Sequence, residues 1–262
     1  MIIKQIYTYN NYRNFNYLIA CPQTREAVAI DPLAYKLCIE EAKKNNFKIV
    51  AVINTHEHLD HIAGNDKIVA LTGAKLYVPE NAKNVIANVD IGLKEGDKIN
   101  IGKSVVIEII DTPGHTMSHI CLLLKGEEQV LFCGDTIFNA GVGNCHNGGD
   151  PISLYNTIYK KLINLNEKTK IYPGHDYLKT NLQFTLSLEP SNLDAINLLK
   201  EAEKQNYSTT YVSSLENEFK VNVFFRLKET SIIKSLEEKG FISKNHNSED
   251  VFIALRELRN TW

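Results

Sequence analysis

The sequence predicts an α/β protein with a helical region at its C-terminal end. Short apolar runs rich in β-branched residues, which are typical of buried strands, alternate with segments of helical spacing up to Ser187. Beyond Ser187 the strand-like runs stop, and three helical segments follow. We therefore expect an α/β domain over residues 1–188 and a helical domain over residues 189–262.

The predicted elements of the first half begin with three strands. A helix, a fourth strand, a second helix, a fifth strand and a short helix then follow. The predicted strands are Ile2–Tyr7, Asn16–Ala20, Ala27–Ile30, Ile49–Ile53 and Lys75–Val78, and the helices are Tyr35–Lys44, a segment that ends near Thr72, and Asn81–Val89.

The predicted elements of the second half end in three helices. Asp150 and Pro151 mark the start of an earlier helix, because Asp is a favoured N-cap and Pro fits the first helical position. Residues 206–229 are predicted to be irregular. The predicted strands are Val105–Ile110, Ile120–Leu124, Val130–Phe132 and Lys170–Tyr172, and the helices are Pro151–Leu162, Leu193–Ala202, Ser231–Lys239 and Glu249–Leu258.

The loop after the fourth strand contains four groups able to bind a transition metal within six residues: His56, His58, Asp60 and His61. Because alternate residues of an extended segment point to the same side, His56 and His58 can face one ion. Asp60 and His61 follow at once and can face a second ion. Imidazole nitrogen and carboxylate oxygen suit Zn²⁺, Fe and Mn²⁺. Three of the eight histidines lie in this loop, which makes an ordinary surface loop a poor explanation.

Three later strands each end in a small residue and a further potential ligand. His115 follows Gly114, Asp135 follows Gly134, and His175 follows Gly174. Functional groups gathered at one end of a set of strands are typical of sites built on sheets. We therefore expect these side chains to converge with the histidine-rich loop.

The composition argues against several classes of protein. The formal net charge of −2 gives no indication of nucleic-acid binding. No apolar run approaches the roughly 20 residues of a membrane span, and the first residues lack the pattern of a signal peptide. The five cysteines are odd in number and widely spaced, which indicates reduced thiols. We expect a cytoplasmic protein, a monomer or weak oligomer, without a nucleic-acid or membrane partner.

These motifs resemble those of the metallo-β-lactamase superfamily, in which H-x-H-x-D-H is followed by a later His, Asp and His. Within it the chain is similar to the glyoxalase II (hydroxyacylglutathione hydrolase) family. The segments that show this similarity are Gly134–Phe138, Pro173–Tyr177, Glu189–Asn192, Ser214–Glu218 and Asn222–Arg226. The resemblance implies an αββα sandwich, a helical substrate-binding domain, and two divalent transition-metal ions, with zinc favoured over iron or manganese.

The resemblance also implies a division of the ligands between the two ions. By motif position, one ion would be bound by His56, His58 and His115, the other by Asp60, His61 and His175, with Asp135 bridging both. Metal binding lowers the pKa of water to about 7, so no Ser or Cys nucleophile is needed. Asp60 and Asp135 could also hydrogen-bond the attacking water, and we expect His119 to support His115.

The family's contacts to glutathione are only partly kept. A Lys and a Tyr of the family, which follow its Gly-x-Gly segment, are replaced by Asn144 and His146. Tyr177 is retained. The C-terminal Arg and Lys of the family, three residues apart, fall on Arg259 and Trp262. The predicted substrate contacts are therefore Asn144, His146, Tyr177 and Arg259, with Arg256 or Lys179 as further candidates, or a different thiol as the substrate's carrier.

The predicted function is metal-dependent hydrolysis of a small-molecule thioester. The expected substrate is S-D-lactoylglutathione or a related thiol thioester, which would yield D-lactate and the free thiol in methylglyoxal detoxification. The alternative is a mononuclear iron enzyme similar to the persulfide dioxygenases of the same superfamily. The long helical tail favours the hydrolase, and the presence of all seven ligands argues against an inactive scaffold.

Overall fold

The computed structural model describes residues 1–205 and 210–262, which form two stacked β-sheets with helices on both outer faces. The first sheet has the strand order β1-β2-β3-β4-β5-β6. Its strands are β1 (Ile2–Tyr7), β2 (Phe15–Ala20), β3 (Glu26–Ile30), β4 (Lys48–Ile53), β5 (Lys75–Pro79) and β6 (Ile91–Leu93). The pairs from β3 to β6 are parallel.

The remaining strands form the second sheet and a small hairpin. They are β7 (Lys98–Ile101), β8 (Val105–Asp111), β9 (Ile120–Leu124), β10 (Val130–Gly134), β11 (Ile137–Phe138), β12 (Gly141–Val142), β13 (Lys170–Pro173) and β14 (Ser213–Ser214). The second sheet has the order β14-β13-β10-β9-β8-β7, and β11 pairs with β12 in the separate hairpin.

The helices cover the outer faces of the two sheets. They are α1 (Tyr35–Lys44), α2 (Leu59–Ile62), α3 (Asn65–Thr72), α4 (Pro151–Lys160), α5 (Leu178–Leu188), α6 (Leu193–Lys204), α7 (Leu215–Val221), α8 (Thr230–Glu238) and α9 (Ser248–Thr261). Helices α1 and α3 pack on the first sheet, α4, α5, α7, α8 and α9 pack on the second, and α6 packs against α5. This is the predicted αββα sandwich followed by a helical region.

Strand β9 shows why the layers form. Successive side chains of a strand point to opposite faces, so a strand covered on both sides is apolar throughout. Leu122 and Leu124 of β9 lie in the core between the sheets. Cys121 and Leu123, on the opposite face, lie in the core beneath the helical region. The chain thus buries both faces of its second sheet.

Two of the predicted elements are corrected by the structure. The helix predicted over Asn81–Val89 is only a 3₁₀ turn at Glu80–Ala82 followed by turns, and Asn88 has a left-handed φ of 57°. Asn competes with helical backbone bonds through its side chain, and three of these nine residues are Asn. The stretch predicted to be irregular contains β14 and α7, while its first four residues, 206–209, lie outside the described residues.

Helix length and cysteine pairing can also be compared with the expectations from the sequence. None of the described helices is long and apolar enough to cross a membrane. All five cysteines are described and unpaired, and only Cys145 is not fully buried.

Candidate metal centre and adjoining cavity

Seven potential metal ligands converge at one end of the strands. His56 and His58 follow β4, and Asp60 and His61 lie in the single turn of α2. The other three, His115, Asp135 and His175, follow β8, β10 and β13. The structure therefore brings together every ligand-type residue that the sequence analysis named.

The ligand atoms form two groups. Those of His56, His58 and His115 lie within 4.8 Å of one another, as do those of Asp60, His61 and His175. Within the first group, His58 Nδ1 is 3.0 Å from His115 Nε2. Within the second, the Nε2 atoms of His61 and His175 are 3.2 Å apart. Nitrogen atoms at such distances converge on a point that a cation can occupy.

Asp135 lies between the two groups. Its Oδ2 atom is 3.4 Å from His115 Nε2 and 3.1 Å from His175 Nε2, while its Oδ1 atom is 3.4 Å from His61 Nε2. Gly174 provides the space for this carboxylate, because a Cβ atom at that position would lie 2.2 Å from Asp135 Oδ1. One carboxylate thus faces both groups of ligands.

The second ring nitrogen of each histidine is fixed by the surrounding protein. Such contacts orient metal-binding histidines and set their tautomer. The pairs are His56 Nδ1 with Thr55 Oγ1 at 3.0 Å, His58 Nε2 with the Asn147 carbonyl at 3.0 Å, His61 Nδ1 with Asp31 Oδ2 at 2.9 Å, His115 Nδ1 with the Asn144 carbonyl at 2.6 Å, and His175 Nδ1 with the Tyr12 carbonyl at 2.7 Å. Each ring therefore presents its other nitrogen to the centre.

Two buried atoms at the centre lack a hydrogen-bond partner among the described residues. They are His56 Nε2 and Asp135 Oδ1. A buried polar atom without a partner costs about 1–3 kcal/mol, so such atoms call for a ligand. Divalent cations would satisfy both, and the mixed imidazole and carboxylate donors suit that role. The residues present therefore fit a divalent metal centre.

Three of the seven side chains are in the charge state that cation binding requires. Burial lowers the pKa of His56 and His115, so their nitrogen lone pairs stay free. For Asp135, burial acts to raise the pKa, but His175 and His61 outweigh it and hold the pKa well below the usual range. A metal ligand must be a neutral imidazole or an ionised carboxylate, and these three residues meet that condition. His61 does not: burial acts to lower its pKa, but Asp135 and Asp31 outweigh burial and raise it, so His61 would have to lose a proton to bind an ion.

His119 contacts Asp135 as well as His115, the residue it was expected to support, on whose ring it packs edge-to-face at 6.3 Å. Its Nε2 accepts a hydrogen bond from the Asp135 backbone N–H at 3.1 Å. The proton is therefore on Nδ1, which faces the hydroxyls of Thr112 and Thr136 at 2.9 and 3.1 Å. Burial lowers the pKa of His119 and keeps the ring neutral in this tautomer. His119 thus fixes the backbone of the residue that lies between the two ligand groups.

Asp31 also supports the candidate centre, although it directly follows β3 and lies far in sequence from the histidine-rich loop. It accepts hydrogen bonds from the Thr55 backbone N–H at 2.8 Å and the Thr55 hydroxyl at 2.7 Å, in addition to its contact with His61. Its φ of 47° lies in the left-handed region. Asp31 therefore connects the end of β3 to the metal-binding loop.

A cavity of about 230 Å³ adjoins the metal centre and contains all four predicted substrate contacts. Its wall is shared between the α/β region and α9. The lining residues are Phe138, Val142, Asn144, His146, Tyr177, Asn181, Arg256, Arg259 and Asn260. The ring of Tyr177 stacks on that of His175, with centroids 4.9 Å apart and planes within 6°. This stacking joins the cavity to the ligand set.

Two arginines three residues apart line this cavity, in a register different from the one expected. Arg256 and Arg259 face the cavity, whereas Trp262 packs edge-to-face on Phe184 at 5.5 Å. Arg256 is only 6% exposed and has no ion-pair partner among the described residues. Burial lowers the pKa of Arg256 to about 10, so it remains charged at neutral pH. The cavity therefore has an unneutralised cation pair that suits an anionic group.

Comparisons with known proteins agree with this geometry. Residues 21–175 match the family model of the metallo-β-lactamase superfamily, and residues 176–262 match that of the hydroxyacylglutathione hydrolase C-terminus. The chain is 49% identical to a hydroxyacylglutathione hydrolase of Nitrosococcus oceani and 48% identical to one of a Polaromonas species, over the full length of each. The chain belongs to the hydroxyacylglutathione hydrolase family. The predicted family membership is confirmed.

Solved structures share the fold of this member of the hydroxyacylglutathione hydrolase family. ETHE1 from Myxococcus xanthus aligns with a TM-score of 0.68 at 23% identity, covering 98% of this chain and 99% of that one. The BLEG-1 B3 metallo-β-lactamase aligns with a TM-score of 0.67 at 20% identity, covering 86% of this chain and 99% of that one.

The two family models meet just before α5. The predicted domain division at 188/189 falls at the end of α5 and stays a prediction.

Proposed function

We propose that the chain hydrolyses S-D-lactoylglutathione to D-lactate and glutathione with two divalent metal ions. The observation that supports this most directly is the position of the cation-lined cavity, which joins the ligand set through Tyr177 and His175. Relatives 48–49% identical over the whole chain are named hydroxyacylglutathione hydrolase. Zinc is the proposed metal, with iron and manganese as alternatives.

The seven converging residues are the proposed ligands, divided as the two groups described above, with Asp135 shared. When bound, the ions lower the pKa of a water molecule to about 7 and polarise the thioester carbonyl. Asp60 is held for this role by Asn14, whose Nδ2 donates to Asp60 Oδ2 at 3.1 Å. Asp60 and Asp135 are also the proposed acceptors of a hydrogen bond from the attacking water.

The cavity is the proposed site of the glutathione part of the substrate. Arg259 would bind a carboxylate, an interaction that contributes about 1.5–3 kcal/mol for each charge-assisted hydrogen bond. Arg256 would add mainly its positive charge, because its Nη1 donates to the carbonyls of Val142 and Gly143 and its Nε and Nη2 donate to Asn260. Asn144, His146 and Tyr177 would contact the peptide. Cys145 is not proposed as a nucleophile, because burial raises the pKa of its thiol to about 11. The product thiolate needs no acid to leave, since a thiol has a pKa near 8.5.

The mononuclear iron alternative has less support. It would use the first ligand group and Asp135, and it would leave Asp60, His61 and His175 without a metal-binding role. Residues 176–262 match the C-terminal family model of the hydroxyacylglutathione hydrolases, so the region around the cavity favours the thioester substrate.

Steady-state kinetics with two thioesters test the proposal. We expect the protein as purified to hold two transition-metal ions per chain. It should hydrolyse the lactoyl thioester of glutathione with a much higher kcat/KM than that of N-acetylcysteamine, which has no carboxylate. Two ions without hydrolysis of either thioester would refute the proposal, and one iron with oxygen consumption would favour the alternative.

A matched pair of variants tests the cavity. Arg259→Met should raise KM for the glutathione thioester about 10- to 100-fold, because it removes one charge-assisted contact, with kcat less affected. Arg25→Met is the control, since the Arg25 guanidinium packs over Phe47 outside the cavity. An unchanged KM in Arg259→Met would remove Arg259 from the proposed site.

A further inference from the structure

Glu218 and Asn222 lie in two of the three C-terminal segments that show the family resemblance, but they have no role in the site described so far. Neither is among the potential metal ligands or the residues that line the cavity. Both are completely buried, with side chains 0% exposed. A buried ionisable residue such as Glu218 requires an explanation, because burial without compensation is costly.

Both side chains bind the backbone of the hairpin formed by β11 and β12. Glu218 Oε2 accepts a hydrogen bond from the Ala140 N–H at 2.9 Å, and Asn222 Nδ2 donates to the Gly141 carbonyl at 3.0 Å. Arg256 continues this series by donating to the carbonyls of Val142 at 3.0 Å and Gly143 at 3.2 Å. Side chains of the helical region therefore hold four consecutive residues of the hairpin.

The conformation of Ala140 shows why this segment needs hydrogen bonds from the helical region. Its φ of 60° lies in the left-handed region, which residues with a Cβ atom seldom adopt. Such a conformation persists only where the surroundings determine it. The Glu218 carboxyl group is itself fixed by Asn222 Nδ2 at 2.8 Å and by the hydroxyl of Ser213.

The opposite side of the same segment lies against the metal centre. A Cβ atom at Gly143 would be 2.0 Å from the Asp135 carbonyl oxygen and 3.0 Å from His115 Nδ1, so there is no free space between them. The carbonyl of Asn144, the next residue, is 2.6 Å from His115 Nδ1. Any displacement of residues 140–144 would therefore reach His115 and the predicted substrate contacts Asn144 and His146.

We propose that Glu218 and Asn222 are positioning residues that fix the segment 140–144, and thereby place both Asn144 and the imidazole of His115. The helical region would then shape the wall of the metal centre in addition to binding substrate. The kinetic consequence rests on the proposed thioesterase function, but the structural consequence does not.

Hydrogen exchange and kinetics on the metal-loaded protein test this role together. In Glu218→Ala we expect the backbone amides of residues 140–144 to exchange at least about tenfold faster, since a buried hydrogen bond to the segment is lost. KM for lactoylglutathione should rise about tenfold, with kcat reduced less. Glu218→Gln should restore both values nearly to those of the wild type, because its amide oxygen can still accept from Ala140.

Tyr159→Phe is the matched control. The Tyr159 hydroxyl donates to the Phe224 carbonyl at 3.1 Å, so this variant also removes a hydrogen bond between α4 and the helical region, but it does not touch the hairpin. Exchange at residues 140–144 should be unchanged in it. Equal acceleration in Tyr159→Phe would indicate general loosening and overturn the proposal.

A second variant covers the case in which Glu218→Ala does not fold. Asn222→Ala keeps Glu218 and removes the hydrogen bond to Gly141, and it should accelerate exchange in the same segment.

Unchanged exchange in a folded variant would refute the structural role, even if the wild type hydrolysed no thioester. Faster exchange with an unchanged KM would refute the positioning role. A wild type without thioesterase activity would contradict the proposed function alone.

Discussion

At the scale of single residues, the candidate metal centre depends on side chains outside the proposed ligand set. Asp31 shows this best, because one carboxylate holds the Thr55 backbone, the Thr55 hydroxyl and the His61 ring. Its contacts fix both the path of the loop and the orientation of a proposed ligand. Residues of this kind cannot be found from ligand spacing, since Asp31 is separated from His61 by thirty residues.

Asp31→Asn tests how much this support contributes. Asn has the same size and tolerates a left-handed φ, but its amide nitrogen cannot accept the hydrogen bonds now made to one of the carboxylate oxygens. We expect the affinity for the ion that His61 is proposed to bind to fall about 10- to 100-fold, with the other ion less affected. Competition with a chromophoric chelator during Zn²⁺ titration of the metal-free protein would measure both affinities. Two unchanged affinities would contradict this role.

The buried carboxyl group of Glu218 should make the stability of the protein depend on pH. Burial raises its pKa to about 7, so the folded protein retains a proton that the unfolded chain loses near pH 4.5. Its contribution to the free energy of unfolding is therefore complete below about pH 4.5 and is lost as the pH rises through 7. Between pH 6 and 8 the wild type should lose about 1 kcal/mol of stability relative to Glu218→Gln. Urea unfolding of both proteins at several pH values would measure this difference in the free energy of unfolding. The same change with pH in both proteins would contradict the prediction.

At the scale of elements, the strands that position the ligands could be predicted, because they are apolar runs that end at Asn, Asp, Gly or Pro. The predicted Ile49–Ile53 and Val130–Phe132 differ from β4 and β10 by one or two residues at their ends. Helix α5 was not predicted, since its Thr and Asn residues weaken the local helical signal. Its buried Phe184 and Leu188 show that tertiary packing stabilises it.

The sequence could not show which residues of α9 form the cation pair in the cavity. The reason is geometric. Positions three apart on a helix lie on one stripe, so Arg256, Arg259 and Trp262 share approximately the same face. Spacing alone cannot decide which two of the three face a cavity. The structure decides it through packing, because Trp262 lies against Phe184 while Arg256 reaches the carbonyls of the β12 region.

At the scale of the whole molecule, the two predicted domains share one hydrophobic core. The cluster on the outer face of the second sheet contains Leu131 and Ile171 from the strands together with Phe224 and Phe252 from the helical region. Burial of a large apolar side chain contributes about 1.5–3 kcal/mol, so separation of the two regions would forfeit many such contributions. The helical region is therefore part of the folded unit that supports the metal centre.

This shared core predicts that the chain unfolds in one cooperative transition, despite the division at 188/189. Trp262 is the only tryptophan, and its fluorescence reports on the helical region, whereas far-ultraviolet circular dichroism reports on the whole chain. In urea the two signals of the metal-free protein should change with the same midpoint, because coincident probes are the mark of a two-state transition. Phe252→Ala, which creates a cavity where the two regions meet, should lower both midpoints together, by about 3–5 kcal/mol in stability. A fluorescence midpoint clearly below that of circular dichroism would instead show that residues 189–262 unfold as a separate domain.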